Sequence, residues 1–342
     1  MLELDRTQQT LQYKLRPGFL ALAPMDDVTD VVFRKIICDC GRPDLAFTEF
    51  VNVDGLVSKG RAVLRKKLDH PKGEKNLIAQ IWGLNPDNFY QIATEITNQE
   101  FGEFLGVDLN MGCPDKTVVK NGACSALINN RELAQKIIKM TKKGLRNKLL
   151  LSVKTRLGFN EVDYSWIEFL LKQNINMLTI HARTRSEMSK VPAHWNSFKE
   201  IKKLRDKISP NTLLVGNGDV LSYEKAKTLI LEYGLDGVMI GRGVFHDPFI
   251  FSPTSPWSHY TNLQKMQLFQ KHIKLFEKTW SDTKPTRILN KFCKIYINNF
   301  ENSKDLRELL MNSRSIGELL QKLNDQMNLV GAVGVEPTTK RL

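Results

Sequence analysis

The chain has 342 residues, 42% hydrophobic and 25% charged, the balance of an ordinary globular protein, which excludes disorder, collagen and coiled coil as descriptions of the whole. No apolar run approaches the roughly 18 residues that a membrane helix needs, and the opening MLELDRTQQT lacks the basic-then-apolar order of a secretory signal. The cytoplasm is therefore the expected compartment, with no membrane partner. Lys and Arg number 50 against 37 Asp and Glu, a formal net charge of +13, and an excess of that size points to a polyanion, nucleic acid first.

Five cysteines, Cys38, Cys40, Cys113, Cys124 and Cys293, are too few and too odd in number for a disulfide framework. Cys38 and Cys40 lack a second Cys or His pair nearby, and the six histidines show no ligand spacing, so no metal is expected.

Short apolar runs recur along the chain: 19–24, 45–50, 76–82, 106–111, 149–155, 177–182, 212–218 and 236–242. Each reads as a buried strand ending in polar or glycine residues. Between most of them lie stretches with helical spacing, such as 85–99, 130–144 and 222–234. Pro86 stands near a helix start, and Gly144 and Gly234 stand where helices should stop. Eight alternations point to a (β/α)8 TIM barrel. An open doubly wound sheet would also alternate, but its first turn would carry a glycine fingerprint, and here that turn reads APMDDVTD. No P-loop pattern occurs.

The pattern changes near SPTSPW at 252–257. Residues 258–328 are polar and helical in spacing, and 258–342 hold 14 Lys and Arg against 8 Asp and Glu. The expectation is a catalytic barrel over 1–257, a small basic α-helical domain over 258–328, and a loose tail over 329–342.

Active sites of such barrels sit at the C-terminal edges of the strands. Read in order, those edges carry Ala23-Pro24-Met25, Gln80, Asn110-Met111-Gly112-Cys113-Pro114, Lys154-Thr155-Arg156, His181-Ala182-Arg183, Gly216-Asn217-Gly218-Asp219 and Gly241-Arg242-Gly243. Glycines after the last two strands let backbone N–H groups approach a phosphate, and Arg242 adds charge. Tight turns that bind nothing would also use those glycines. Lys154, His181 and Gln80 suit a ring with carbonyls, as a flavin has. Cys113 sits between a glycine and a proline at the barrel mouth, as a nucleophile, a proton donor or a small buried apolar residue. Cys124 and Cys293 read as the last of these. Lys116, Lys120 and a turn at Gly122 suit anion contact beside Cys113.

With these stretches in view, the chain resembles the tRNA-dihydrouridine synthases, flavin enzymes that reduce uridine in tRNA. The resemblance rests on LAPMDDVTD (22–30), NMGCPDKTVVKNGACSALI (110–128), SVKTRLGF (152–159), TIHARTR (179–185), GNGDV (216–220) and GVMIGRGVFHDPFIF (237–251), and covers about 18–325. It implies FMN as cofactor and NADPH as reductant. Pro24, Met25, Gln80, Lys154 and His181 would hold the ring, and Asn217, Gly218, Asp219, Gly241 and Arg242 the phosphate edge. Asn110 and Arg156 would position the target uridine, with Arg183 at the rim. Hydride would reach C6 of uracil, with Cys113 protonating C5 from the opposite side. Arg287 and Lys291, with Lys294 and Arg307, would grip tRNA backbone. The sequence departs from the family pattern at Cys124, where a small residue such as glycine is commoner, and at Glu187-Met188, where many members carry Gln and Tyr. An FMN barrel acting on a small molecule, or a non-catalytic RNA-binding protein, would share parts of this pattern. The uridine position and the nicotinamide preference have no motif, and a monomer is the default.

Overall fold

The computed structural model describes residues 15–71, 73–280 and 283–333. Eight parallel strands are named here in chain order: β1 (Phe19–Leu22), β2 (Leu45–Phe47), β3 (Leu77–Trp82), β4 (Gly106–Met111), β5 (Leu150–Arg156), β6 (Met177–His181), β7 (Leu213–Asn217) and β8 (Gly237–Ile240). Each pairs with the next from β3 to β8. β8 then pairs β1, β1 pairs β2, and β2 closes on β3 through Ala46 opposite Leu77 and Phe47 opposite Ile78. The ring is the expected TIM barrel, and every strand core is buried as a parallel sheet requires.

The helices between strands follow local signals. Pro86 opens Pro86–Thr97 behind Asn85, whose side chain accepts from Asp87 N at 3.0 Å, and Gly234, left-handed at φ 61°, ends Tyr223–Tyr233. Gly144 does otherwise than expected. The helix Arg131–Leu145 runs through it, and Arg146 takes the left-handed cap at φ 51°. A Cβ on Gly144 would stand 2.6 Å from Tyr90 O and 2.7 Å from Ala93 Cβ, so the glycine is there for close packing against Pro86–Thr97. Between β2 and β3 the described residues make no long helix. A two-residue strand, Val51–Asn52, pairs β3, followed by the short helices Val53–Leu56 and Arg61–Leu64.

The described residues fall into two compact units, 15–31 with 43–242, and 32–42 with 243–333. The expected boundary at 257/258 lies inside the second unit, which also takes the barrel's first helix, most of Val31–Cys40. Aromatic packing within that unit accounts for this: Phe33 stacks on Phe292 with ring centroids 4.9 Å apart, and also meets Phe245 and His272. The other α-helices described in that unit are Asn262–Trp280, Asn290–Tyr296, Ser303–Met311 and Ile316–Val333. The last runs into the stretch expected as a tail from 329, and 334–342 lie outside the described residues.

Candidate active site

Side chains alternate along a strand, so residues two apart share a face. Phe19, Ala21, Ala23, Ile78, Leu150, Met177, Leu213, Val215 and Met239 form one buried cluster. Continuing their parity toward the strand ends gives Gln80, Asp108, Asn110, Ser152, Lys154, Arg156, Thr179, His181 and Asn217. The barrel interior is therefore apolar at one end and polar at the other, and the polar end is the C-terminal mouth. This places Gln80, Asn110, Lys154, His181 and Asn217, expected from sequence, on one face.

A hydrogen-bonded chain crosses three strands there. The Asp108 carboxylate, fully buried, accepts from Ser152 Oγ and from Gln80 Nε2, the latter at 2.6 Å. Gln80 Oε1 accepts from Asn110 Nδ2 at 3.3 Å. Asn110 Oδ1 accepts from Gly112 N at 3.1 Å and Cys113 N at 3.0 Å, shaping the turn that carries the cysteine. Burial raises the Asp108 carboxyl to about 6. Sequence reading missed Asp108 and Ser152. Their only signal is polarity inside otherwise apolar strands.

Cys113 is half-buried. Its thiol is held down to about 7, first by a hydrogen bond from the Cys124 thiol, against the opposing effect of burial. Cys124 is buried and left-handed at φ 53°, and burial pushes its own thiol well up. Ser125 fixes this loop, its hydroxyl donating to Cys113 O at 2.8 Å. Cys124, read from sequence as a small apolar filler, is therefore a partner of Cys113, whereas Cys293 is buried with its thiol pushed up to about 12. Lys116 and Lys120 are exposed on the helix Lys116–Lys120, capped by Asp115.

The Lys154 ammonium forms no hydrogen bond or ion pair among the described residues, and burial, with Arg156 beside it, lowers it to about 8. Arg156 is buried and committed to backbone: Nε donates to Gly112 O at 2.8 Å, and Nη1 to Thr184 O at 2.9 Å and Met188 O at 3.0 Å. It clamps the cysteine turn to the loop after β6. In that loop Glu187 accepts from Thr184 N at 2.8 Å and pairs with His194 Nε2 at 2.7 Å.

His181 is held well below its ordinary range by burial and then by the cations around it, Arg156 first. It is neutral at pH 7, and its Nδ1 is buried without a hydrogen-bond partner among the described residues. Arg183 donates from Nε to Val191 O and from Nη2 to Asp219, while Nη1 stays buried without a partner among the described residues. Asp219 also meets Ala193 N at 3.0 Å and Arg242 Nη2 at 3.4 Å, so it organises two arginines on the edge of β7. Arg242 is exposed, Gly218 adopts φ 134°, and Asn217 Nδ2 ties β7 to β8 through Met239 O at 2.8 Å. Gly241 lies near Ala23 and Met25, beside the buried Pro24. Arg287 and Lys291 are exposed in the second unit, and Arg307 donates to Ile297 O at 2.7 Å.

Among the described residues, Asp26, Asp27 and Glu49 bring ligand-type atoms within 4.8 Å of one another. Lys67 already enters that group, paired with Asp26 and 3.7 Å from Glu49.

The family model of dihydrouridine synthase matches residues 21–330. The chain belongs to the dihydrouridine synthase family. As a member it is an enzyme, and its relatives span it almost end to end. A Staphylococcus aureus (strain COL) protein described as "probable tRNA-dihydrouridine synthase" is 42% identical over 320 residues, covering 92% of this chain and 95% of that protein. A Bacillus subtilis (strain 168) protein described as "probable tRNA-dihydrouridine synthase 2" is 42% identical over 311 residues, 90% of this chain and 93% of that protein. Among solved structures, histamine dehydrogenase from Rhizobium sp. 4-9 matches with a TM-score of 0.51 at 12% identity, covering 90% of this chain and 62% of that one; this likeness concerns the fold alone.

Proposed function

We propose that the chain reduces particular uridines of tRNA to 5,6-dihydrouridine, using FMN that NADPH reduces, and that it acts as a monomer in the cytoplasm. The observation that carries this reading is the placing of Cys113, with a thiol near neutrality, at the same polar barrel mouth as Lys154 and His181.

The donor set fits a flavin. Lys154 has no partner among the described residues, and His181 Nδ1 and Arg183 Nη1 are buried without one, a costly state that a polar ligand would relieve. Lys154, His181 and Gln80 would hold the ring, with Pro24 and Met25 lining it. Asn217, Gly218, Asp219, Gly241 and Arg242 would form the phosphate edge. When bound, the reduced flavin supplies a hydride to C6 of uracil.

The chain's own residues supply the rest. Cys113 in its thiol form donates a proton to C5. Lys154 and Arg156 place positive charge where the carbonyl oxygen gains negative charge. Asn110 and Arg156 keep the cysteine turn in register with the loop after β6, while Arg183 offers Nη1 at the rim. The target base leaves its stack to enter the mouth. Arg287 and Lys291 hold the tRNA backbone by charge.

The test is nucleoside mass analysis of unmodified tRNA incubated with the protein, FMN and NADPH. Dihydrouridine is expected, and Cys113→Ala should retain FMN while slowing its formation by roughly 10²-fold or more. An unchanged rate in the variant removes Cys113 from the chemistry, and no dihydrouridine from the FMN-loaded protein rejects the substrate.

A further inference from the structure

We propose that Asp108, fully buried at the polar end of the barrel, is the positioning residue that sets the orientation of Gln80 and, through its contact with Asn110, supports the Cys113 turn. This deepens the reading above, since it takes Cys113 as the reacting thiol.

The argument is one of donors and acceptors. An ionised carboxylate only accepts, and with its carboxyl at about 6 Asp108 is mostly ionised at neutral pH. One oxygen takes the Ser152 hydroxyl, which leaves the other for Gln80. Gln80 must therefore present Nε2 downward to Asp108 and Oε1 upward. Oε1 can only accept, so Asn110 must turn Nδ2 toward it. That leaves Asn110 Oδ1 facing the amides of Gly112 and Cys113, which can only donate. Gln80 alone would fit its place nearly as well turned over, because the two ends of a carboxamide have almost the same shape, whereas Asn110 is held from the turn side by two backbone N–H groups. The buried carboxylate removes the ambiguity at Gln80, so that the chain from β4 to β3, back to β4 and into the turn is satisfied from both ends. Gln80 and Asn110 are both buried, so water offers no alternative partner, and a reversed amide would set N–H against N–H at one end of the chain.

The chain also separates two possible roles of Asp108. As a counter-charge to Lys154 it needs its negative charge. As a positioning residue it needs only an acceptor facing Gln80. Asn at 108 keeps that acceptor, turning Oδ1 to Gln80 and Nδ2 to the Ser152 oxygen, while losing the charge. Leu at 108 loses both.

The experiment measures alkylation of Cys113 by iodoacetamide at pH 7 in the flavin-free protein, read by peptide mass, with the melting temperature recorded for each variant. It needs neither FMN nor tRNA, so its outcome is independent of whether the protein makes dihydrouridine. Asp108→Asn is expected within about twofold of wild type, and Asp108→Leu about fivefold or more slower, because the loosened turn takes the thiol away from Cys124. Equal rates in the two variants, whether both slow or both normal, overturn the proposal. If Asp108→Leu does not fold, Gln80→Leu cuts the same chain one step later. The same slowing is expected there, and a normal rate overturns the proposal equally.

Discussion

At the scale of single residues, the electrostatics of the mouth turn on two groups, Cys113 and Lys154, whose surroundings shift both of them toward neutral pH. Cys113 is the one whose protonation matters most. The hydrogen bond from Cys124 favours its thiolate, so the thiol is held at about 7, below its ordinary value. A proton donor is lost as pH rises through its pKa. Uridine reduction should therefore fall on the alkaline side with a midpoint near 7. Cys124→Ala removes the stabilising donor, and the midpoint should move up toward the ordinary thiol range near 8.5, so that the variant outruns the wild type at pH 8. A pH profile of kcat, with the midpoint of Cys113 alkylation beside it, checks this; a profile unmoved by the substitution breaks the link between the two cysteines. Lys154 has the opposite sign. Its ammonium is depressed to about 8 in the folded state, so the unfolded chain binds that proton more tightly and folding is weakened at pH 7, recovering as pH rises through about 8 toward the normal lysine value. Lys154→Met should raise the melting temperature of the flavin-free protein at pH 7 and weaken FMN retention by roughly tenfold or more, the scale of removing a charge-assisted hydrogen bond. Calorimetry and an FMN fluorescence titration measure the two halves separately. A lower melting temperature would mean that the lysine holds the barrel together.

At the scale of elements, the helix Arg131–Leu145 gives a case where propensity and packing disagree. Alanine at an interior helix position is favoured over glycine by about 1 kcal/mol. At Gly144 the added Cβ meets Tyr90 O and Ala93 Cβ at 2.6 and 2.7 Å. One of these atoms is backbone and the other is attached directly to it, so neither can turn aside. Overpacking typically costs about 1–3 kcal/mol, and the steric cost wins. Gly144→Ala should destabilise the protein, measured by urea unfolding, where a propensity argument alone gives a gain. The same pair of helices shows which local signals are legible. Pro86 after Asn85 marks a start because a proline gives up no needed donor there. A glycine near a helix end reads equally as a stop or as a point of close approach. Gly234 is the first and Gly144 the second, and only the neighbouring helix tells them apart.

At the scale of the whole molecule, the chain's division bears on how its grip on RNA should be tested. The second unit is discontinuous: it holds residues 32–42 as well as 243–333. Removing everything from 258 onward would strip Phe292 and His272 from Phe33, which is fully buried, so an inactive truncation would report unfolding. Charge removal on the intact chain is the sharper experiment. Arg287→Gln with Lys291→Gln should raise the KM for tRNA and flatten its dependence on salt, because every phosphate no longer neutralised takes about one released counterion out of the slope. kcat at saturating tRNA should hold. An unchanged KM and slope would place the RNA grip elsewhere.

The sequence by itself determined the strand positions, the order of the barrel and the identity of the rim residues, because parallel strands buried on both faces read as apolar runs and the chemistry of a barrel concentrates where those runs end. Gln80, Cys113, Lys154, His181 and Arg242 could be named from that logic before any coordinates. What only the tertiary structure decided are relations between residues distant along the chain. Asp108, Ser152 and Gln80 lie on three strands and are joined only when those strands pair in register. Cys124 becomes a partner of Cys113 only because Ser125 pins its loop to the cysteine turn. Arg156 proves to be a clamp on three carbonyls, and the barrel's first helix belongs with the helical unit. Local spacing encodes which face a residue occupies. Hydrogen bonding across strands depends on register and closure, which are properties of the folded ring.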